Sequence, residues 1–380
     1  MATEQRYLPE TPEELTPGWL SEALQTRVTD IRQEVLGDGV GFMGDVLRLH
    51  LQGDSAALPA SVVVKLPKKA NRVMGEMLGV YEREIMFFRE FGSQVPLRIP
   101  KVYFSDFDRD KGSENQAEIL RKIDGLPLFL NGVINRLGRL VAGSKKRRYM
   151  LIIEFLQDMQ PGDQLQGLDA AGCSQVLSEV AAMHSAYWDS PSIDNHFWLL
   201  DMDVDARLRH GIFTQHVDSF AATVPGDVAD KLAWLKQHGL QLTRQFFAGA
   251  PKTLLHYDLR LDNVVFDGPH CAFIDWQLVR AGPAAYDVAY FMASALPEHA
   301  SREDVEQILH VYHQALGRAD YSFDMLWLDY QRALLLVLST LSSVEQVDIG
   351  EGRGKDMMEA WMRRLAARVA DVDLQAVASA

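Results

Sequence analysis

The pattern of strand and helix signals changes once along the chain, near residue 155, and this change constrains the fold more than any other feature. Before it, short β-branched or alternating apolar runs are typical of strands. After it, long segments with apolar residues three or four positions apart predict helices. A chain with this order is expected to adopt an α+β fold with a strand-rich first part and a mainly helical second part.

The first part contains one clear helix pattern among its predicted strands. The strands are expected at Ile31–Leu36, Val46–Leu51, Ser61–Leu66, Val102–Phe104, Glu118–Ile123 and Tyr149–Phe155, and the helix at Gly79–Phe91. In the second part, helices are expected at Cys173–Ser185, Asp227–Phe247, Arg302–Gly317, Phe323–Val344 and Lys355–Val372, with a strand–loop–strand segment at Thr253–Trp276. The predicted division is an N-terminal arm (1–29), an N-terminal lobe (30–155) and a C-terminal lobe (156–380).

Composition excludes several classes of protein. The 380 residues are 47% hydrophobic and 24% charged, which is ordinary for a globular chain. The net charge of −14 is a poor electrostatic match for nucleic acid or an anionic membrane. The longest apolar run, Ala333–Val344, is shorter than the roughly 20 residues that a membrane span needs. We therefore expect a cytoplasmic protein with no nucleic-acid partner and no membrane span.

A glycine-rich segment, Gly39-Val40-Gly41-Phe42-Met43-Gly44, precedes a strand pattern. A dinucleotide-binding fingerprint requires a helix after the glycines, so that interpretation fails. A P-loop requires a lysine where Asp45 stands, so it fails too. A strand–glycine loop–strand hairpin laid over nucleotide phosphates fits the context, and a plain glycine-rich hairpin fits equally well from this segment alone.

Lys65 lies near the end of the apolar strand Ser61–Leu66. An ammonium group there needs a partner or a function, unless it simply reaches solvent. In a kinase it would hold the α- and β-phosphates while paired with a helix carboxylate. Glu84, on the inward face of the next predicted helix with Val80 and Phe87, is the expected partner, and Glu82 is the alternative.

The segment from Leu255 to Trp276 is the most informative for chemistry. His256, Asp258 and Asn263 have the HxDxxxxN spacing of a phosphoryl-transfer loop, and Asp275 follows at the end of an apolar strand. One carboxylate can orient the attacking hydroxyl, while an amide and a second carboxylate hold Mg²⁺. An ordinary polar loop is a poor explanation for this set downstream of Lys65.

The segment resembles aminoglycoside phosphotransferases and choline kinases, which share the protein-kinase-like fold. The glycine segment, Glu84–Phe88 and Met183–Trp188 look more specifically like the ecdysteroid-kinase-like branch of that family. The resemblance covers roughly residues 30–345. Two departures stand out: Tyr257 occupies a position where the family commonly has glycine, and Trp276 follows Asp275 without the glycine of a DFG motif.

The resemblance implies a role for each matching position. Asp258 would be the catalytic base, and Asn263 and Asp275 would bind Mg²⁺. His256 and Asp287 would support the loop. Three groups would bind the nucleotide. Lys65 with Glu84 would position the phosphates, and the backbone from Glu154 to Leu156 would contact adenine. The glycine-rich loop would cover ATP through Gly39, Gly41, Phe42 and Gly44.

The predicted function is therefore an ATP- and Mg²⁺-dependent phosphotransferase acting on a small-molecule hydroxyl group. A protein kinase is the first alternative, disfavoured because no APE-like segment follows Asp275. A nucleotide-binding pseudokinase or scaffold is the second. The sequence does not identify the acceptor, and the candidates are a cationic aminoglycoside, a choline-like alcohol and a sterol-like alcohol. It does not give the oligomeric state either.

Two further segments carry polar clusters. Asp201-x-Asp203-x-Asp205 starts like a calcium-binding loop, but Ala206 and Ile212 replace residues that such a loop needs, so we expect a solvated turn. The basic run Lys145–Arg148 is expected to cap a surface hairpin, and a contact with a phosphate or an anionic partner is the alternative.

Overall fold

The structure is a computed structural model that describes residues 7–36, 44–69, 71–109, 116–126, 147–194, 196–344 and 352–379. These residues form two compact units. The first is built from the described residues of Met1–Gln94, Ile99–Glu114 and Gly132–Met159, and the second from those of Val95–Arg98, Asn115–Asn131 and Gln160–Ala380.

An antiparallel five-stranded sheet organises the first unit. Its strands are β1 (Asp30–Leu36), β2 (Gly44–Gln52), β3 (Ser61–Pro67), β4 (Val102–Phe107) and β5 (Tyr149–Glu154), in the spatial order β1-β2-β3-β5-β4. Its helices are α1 (Pro17–Leu24), α2 (Arg72–Leu78) and α3 (Val80–Glu90). Strand alternation places one face of the sheet on an apolar core.

The described part of the N-terminal arm belongs to this core. Leu8, Leu15 and Leu20 are buried together with alternate residues of β2 and β3. Helix α1 begins after Thr16, whose side chain accepts a hydrogen bond from the Trp19 N–H, with Pro17 in the first turn. The arm therefore covers one face of the sheet.

The opposite face of β3 carries Lys65. Because side chains alternate along a strand, Lys65 points away from the core that buries Val64 and Leu66. Helix α3 supplies the carboxylate of Glu84, which pairs with the ammonium. Val80, Glu84 and Phe87 are buried as predicted, but they do not form a separate stripe, because most other residues of the helix are buried too.

The second unit is mainly helical. Its helices are α4 (Gln116–Asp124), α5 (Ala170–Ala186), α6 (Ala206–Ala221), α7 (Gly226–Gly249), α8 (Ala285–Ala295), α9 (Arg302–Leu316), α10 (Phe323–Val344), α11 (Arg353–Ala370) and α12 (Leu374–Ser379). Its strands are β6 (Gln160–Pro161), β7 (Leu200–Asp201), β8 (Lys252–Leu255), β9 (Val264–Asp267), β10 (His270–Phe273) and β11 (Arg280–Pro283). They form two small sheets, ordered β10-β9-β6 and β7-β11-β8.

The structure corrects one predicted element. Residues Glu118–Ile123 were expected to form a strand, but they lie in helix α4. The run is rich in helix-forming residues, and Glu118 pairs with Lys122 one turn later. Asp124 also accepts hydrogen bonds from the first backbone N–H groups of α6, so the helix is fixed by a tertiary contact. Periodicity over such a short run does not separate helix from strand.

The basic run is described only in part, and the surface hairpin that it was expected to cap lies outside the described residues. Arg147 and Arg148, the described members of the basic run, lie inside the first unit, where Arg147 pairs with Glu82 and Arg148 with Asp108. Lys145 and Lys146 lie outside the described residues.

Across the described ranges, none of the helices combines the length and apolar character needed to cross a membrane.

Candidate active site

The predicted catalytic segment joins β8 to β9 in the second unit. After β8 ends at Leu255, the chain runs through Asp258 and a short 3₁₀ turn, Leu261–Asn263, before β9 begins. The Asn263 backbone carbonyl accepts a hydrogen bond from Ile274 N–H at 3.0 Å. This bond places Asp275, the next residue, beside the loop. The residues that the sequence predicts for catalysis and metal binding are thus brought together in this unit.

The carboxylate of Asp258 is held on both of its oxygens. Its Oδ2 accepts a hydrogen bond from Asn263 Nδ2 at 3.0 Å, and its Oδ1 accepts one from the Tyr290 hydroxyl at 3.0 Å. The Arg260 guanidinium lies 3.7 Å from Oδ2 and also pairs with Asp262. Each carboxylate oxygen can accept more than one hydrogen bond, so acceptor capacity remains for an incoming hydroxyl group.

Burial controls the electrostatics of this carboxylate. Asp258 is almost fully enclosed, and burial raises its pKa above the ordinary value. The positive charge of Arg260 opposes that rise, while the negative charge of Asp275 adds to it. Burial and the neighbouring carboxylate together raise the pKa of the Tyr290 hydroxyl, so it stays protonated and donates its hydrogen bond.

Asp287 of helix α8 braces the start of the loop. Its Oδ2 accepts a hydrogen bond from His256 N–H at 2.7 Å, and its Oδ1 accepts one from Tyr257 N–H at 2.9 Å. The ring of His256 contacts the Ile274 carbonyl through Nε2 at 3.0 Å. His256 and Asp287 are both fully buried, so the two predicted supporting residues fix the backbone on either side of the loop.

The predicted metal ligands have the right chemistry for Mg²⁺. Asn263 directs its amide nitrogen to Asp258, which leaves its carbonyl oxygen as a hard ligand. Asp275 contributes a carboxylate from a left-handed backbone conformation, with φ of 66°. Within the described ranges, no group of three or more His, Cys, Asp or Glu side chains is arranged to hold a metal ion. A Mg²⁺ ion here would take its remaining ligands from phosphate and water.

In the first unit, Lys65 and Glu84 form a close ion pair. Lys65 Nζ lies 2.6 Å from Glu84 Oε1, and both side chains are largely buried. Glu82, the alternative partner, instead lies 2.8 Å from Arg147 Nη2. The two carboxylates are only two positions apart, yet each has its own cation. The structure therefore selects Glu84 as the partner of Lys65.

The other predicted nucleotide-binding residues are described only in part. Gly39, Gly41 and Phe42 lie outside the described residues. Gly44 begins β2, where a Cβ atom would lie 3.1 Å from the Leu66 carbonyl oxygen, so the strands approach closely there. At the end of β5, Glu154 exchanges backbone and side-chain hydrogen bonds with Lys101. The Leu156 carbonyl accepts a hydrogen bond from Met159 N–H.

Sequence reasoning missed the role of Arg260 and Tyr290 as neighbours of Asp258. Arg260 stands between two acids in Asp258-Leu259-Arg260-Leu261-Asp262, and that alternation was the available signal. Tyr290 had no comparable local signal. Its hydrogen bond joins positions 32 residues apart, which no local pattern reports.

A buried ion pair beneath Tyr257 was also missed. Arg280 of β11 forms two hydrogen bonds with Asp205, at 3.1 and 2.9 Å, and its guanidinium lies 4.9 Å from the centre of the Tyr257 ring. That ring stacks on Tyr286. The expected solvated turn is wrong for Asp205, because two guanidinium groups, from Arg280 and Arg209, enclose its carboxylate.

Solved structures of kinases share the fold at low sequence identity. Amicoumacin kinase, in complex with AMP-PNP, Ca²⁺ and Ami, is 10% identical with a TM-score of 0.52, covering 96% of this chain and 97% of its own. Choline kinase from Cryptosporidium parvum Iowa II is 11% identical with a TM-score of 0.51, covering 94% and 90%. The microcompartment-associated aminopropanol kinase is 14% identical with a TM-score of 0.51, covering 93% and 96%. The expected two-lobe, protein-kinase-like α+β fold is confirmed.

No match was found among curated protein sequences. The model of the phosphotransferase enzyme family, in contrast, matches residues 60–323, which is more than half of the chain. The matched region contains Lys65, Glu84 and the whole segment from Leu255 to Asp287. With these residues arranged as described, the chain belongs to the phosphotransferase enzyme family.

Proposed function

We propose that this phosphotransferase transfers the γ-phosphate of ATP to a hydroxyl group of a small molecule, with Mg²⁺ as the required ion. One observation carries the proposal: a buried carboxylate, Asp258, is fixed by hydrogen bonds on both oxygens beside an amide and a second carboxylate. Phosphoryl transfer depends mainly on positioning and charge stabilisation, and a rigid carboxylate of this kind is suited to orient an attacking hydroxyl.

Asp258 would accept the hydrogen bond, and later the proton, of the acceptor hydroxyl. Its raised pKa supports this role, because a carboxylate destabilised by burial is a stronger base than one in water. Arg260, held beside it by Asp262, would place positive charge near the transferring phosphoryl group. Asp287 would keep the loop backbone in the required conformation.

Asn263 and Asp275 would hold Mg²⁺. When bound, the ion neutralises charge on the β- and γ-phosphate oxygens. Lys65, paired with Glu84, would contact the α- and β-phosphates, and the backbone of Glu154–Leu156 would contact adenine. Gly39, Gly41, Phe42 and Gly44 would cover the nucleotide. We assign these nucleotide contacts to an N-terminal lobe of residues 30–155 after the arm of residues 1–29, and catalysis to a C-terminal lobe of residues 156–380.

Two finer assignments belong to the same proposal. Membership of the ecdysteroid-kinase-like branch rests on the resemblance at Glu84–Phe88 and Met183–Trp188. A cytoplasmic location is supported by the proposed use of ATP and by Cys173 and Cys271, both of which are buried free thiols. A protein kinase is not favoured, since the family match is to phosphotransferases and no observation points to a protein substrate.

The test is a panel of alcohol acceptors scored by ADP release, with [γ-³²P]ATP used to detect the phosphorylated product. The panel includes aminoglycosides, amino alcohols such as choline and ethanolamine, and sterol-like alcohols. We expect one acceptor class to stimulate ADP release above the rate with water alone. If no acceptor is phosphorylated while a generic protein substrate is, the small-molecule assignment is wrong.

Asp258→Asn identifies the catalytic carboxylate in that assay. It should lower kcat by at least about 1000-fold and leave the affinity for ATP nearly unchanged, because the general base and the orientation of the acceptor are both lost. Asp329→Asn is a matched control: Asp329 is also buried, accepts a Tyr hydroxyl hydrogen bond at 2.8 Å and has a neighbouring arginine, Arg332. Near-normal turnover of Asp258→Asn would refute the assignment.

A further inference from the structure

Tyr290 contacts the proposed catalytic carboxylate directly, and it does so from helix α8 rather than from the catalytic loop. Its hydroxyl lies 3.0 Å from Asp258 Oδ1, while the loop's own Asn263 binds Oδ2. Two donors from different elements therefore act on the two oxygens. Without the Tyr290 hydroxyl, the orientation of the carboxylate would depend only on the groups at Oδ2, which are Asn263 and Arg260.

Packing from two sides fixes the Tyr290 ring. Tyr286, one helical turn earlier on α8, lies 5.9 Å away in a stacked arrangement. Trp361 of helix α11 meets the ring edge-on, with centroids 5.1 Å apart and an interplanar angle of 87°. All three side chains are buried. The position of the hydroxyl thus depends on α11 as well as on α8.

Helix α11 also reaches the other side of the carboxylate. The sulfur of Met357 lies 3.6 Å from Arg260 Nη1, and Arg260 is the cation beside Asp258 Oδ2. Met357 and Trp361 are four positions apart, so they lie on one face of the helix. This helix begins at Arg353, beyond the region that matches the family model. One face of a C-terminal helix therefore touches both groups that flank Asp258.

We propose that Tyr290 is a positioning residue for Asp258, and that helix α11 sets its position through Trp361. The inference rests on the proposed function, in which Asp258 orients the acceptor hydroxyl. Tyr290 holds the carboxylate so that its remaining lone pairs face the acceptor, and Trp361 prevents the phenol ring from swinging away. Helix α11 thereby takes part in positioning the catalytic carboxylate.

The test compares Tyr290→Phe with Tyr321→Phe in steady-state kinetics with the best acceptor of the panel. Phenylalanine keeps the ring and removes only the hydroxyl group. Tyr321→Phe is the matched control, because Tyr321 is buried and donates to a buried carboxylate, Asp329, at 2.8 Å. We expect Tyr290→Phe to lower kcat by about 10- to 100-fold with KM for ATP nearly unchanged, and to lower the thermal midpoint about as much as Tyr321→Phe does, because each change removes one hydrogen bond to a buried carboxylate. Tyr321→Phe should leave kcat within about twofold.

Trp361→Leu then tests the route through α11. It should lower kcat about 3- to 10-fold alone and cause little further loss in the Tyr290→Phe background, since both changes act through one hydroxyl group. Additive effects would show that Trp361 does not act through Tyr290 and would overturn that part.

Further outcomes decide whether Tyr290 positions Asp258. An unchanged or increased kcat in Tyr290→Phe, or an equal loss in Tyr321→Phe, would overturn the positioning role while the proposed function stands. A wild-type protein that phosphorylates a generic protein substrate but no acceptor of the panel would overturn both. Thermal unfolding of Tyr290→Phe, Asp258→Asn and their double variant gives a readout without turnover: the absence of any coupling would show that the hydrogen bond contributes nothing.

Discussion

Replacing Asp205 by asparagine should destabilise the second unit strongly, although Asp205 takes no part in the proposed chemistry. Its carboxylate receives two hydrogen bonds from Arg280 and one from Arg209 at 2.8 Å, and Arg280 is almost fully buried. Asparagine has nearly the same shape but no charge, so the two guanidinium groups would lose their shared anion. Breaking one side of a buried ion pair costs about 3–5 kcal/mol.

Thermal unfolding followed by circular dichroism measures this cost. For a unit of roughly 240 residues, 1 kcal/mol corresponds to about 2 °C in Tm, so the expected decrease is about 6–10 °C. Asp218→Asn is the control, because Asp218 pairs with Lys236 at 2.7 Å but both side chains are exposed. Exposed pairs contribute about 0–1 kcal/mol, so Tm should fall by about 2 °C or less. Equal decreases in the two variants would refute the reasoning.

The pH dependence of the stability tests independently whether the pKa of Asp205 is lowered. Burial alone would favour the neutral acid, but Arg280 and Arg209 outweigh it and hold the pKa of Asp205 below its ordinary value. A lowered pKa stabilises the fold at pH values above the unfolded pKa of about 3.9, and this stabilisation is lost as the pH falls below that value. The difference in Tm between wild type and Asp205→Asn should therefore be full near pH 7 and narrow below about pH 4. A difference that widened on acidification would contradict this assignment.

A second variant tests whether the lost stability comes from the unpaired charge of Arg280. Arg280→Met in the Asp205→Asn background should recover some of the lost stability, because it removes one of the two unpaired charges. Further loss in the double variant would mean that Arg280 stabilises the unit mainly by packing on the Tyr257 ring.

Two predictions concern the nucleotide and the metal ion. Glu84→Gln should lower kcat/KM for ATP about 10-fold, because Lys65 loses its charged partner. Glu82→Gln loses only the pairing with Arg147 and should change kcat/KM about twofold at most. Equal losses in the two variants would refute a specific role for Glu84. Asp275→Asn should weaken ATP binding at least about 10-fold in the presence of Mg²⁺ and leave it unchanged in EDTA, as measured by titration calorimetry. A variant whose ATP binding depends on Mg²⁺ as the wild type's does would exclude Asp275 as a ligand.

Local patterns predicted the parts of the fold that depend on neighbouring residues. Helical spacing predicted that Glu84 of α3 faces inward, and the structure has it buried and paired with Lys65. The spacing of Asp258 and Asn263 is short enough for one loop to bring the two side chains together, and the structure has their hydrogen bond. Short runs were less reliable, as the helix at Gln116–Asp124 shows.

The sequence by itself determined the five strands of the first unit, the long helices α3, α5, α7, α9, α10 and α11, and the composition of the catalytic loop. Only the tertiary structure decided that Lys65 pairs with Glu84 rather than Glu82, that Asp205 is buried against Arg280, and that Tyr290 reaches Asp258 under the cover of α11. The physical reason is the same in each case. Periodicity reports which side of an element faces inward, but the residue that meets it there comes from a distant part of the chain, 75 positions away for Asp205 and Arg280.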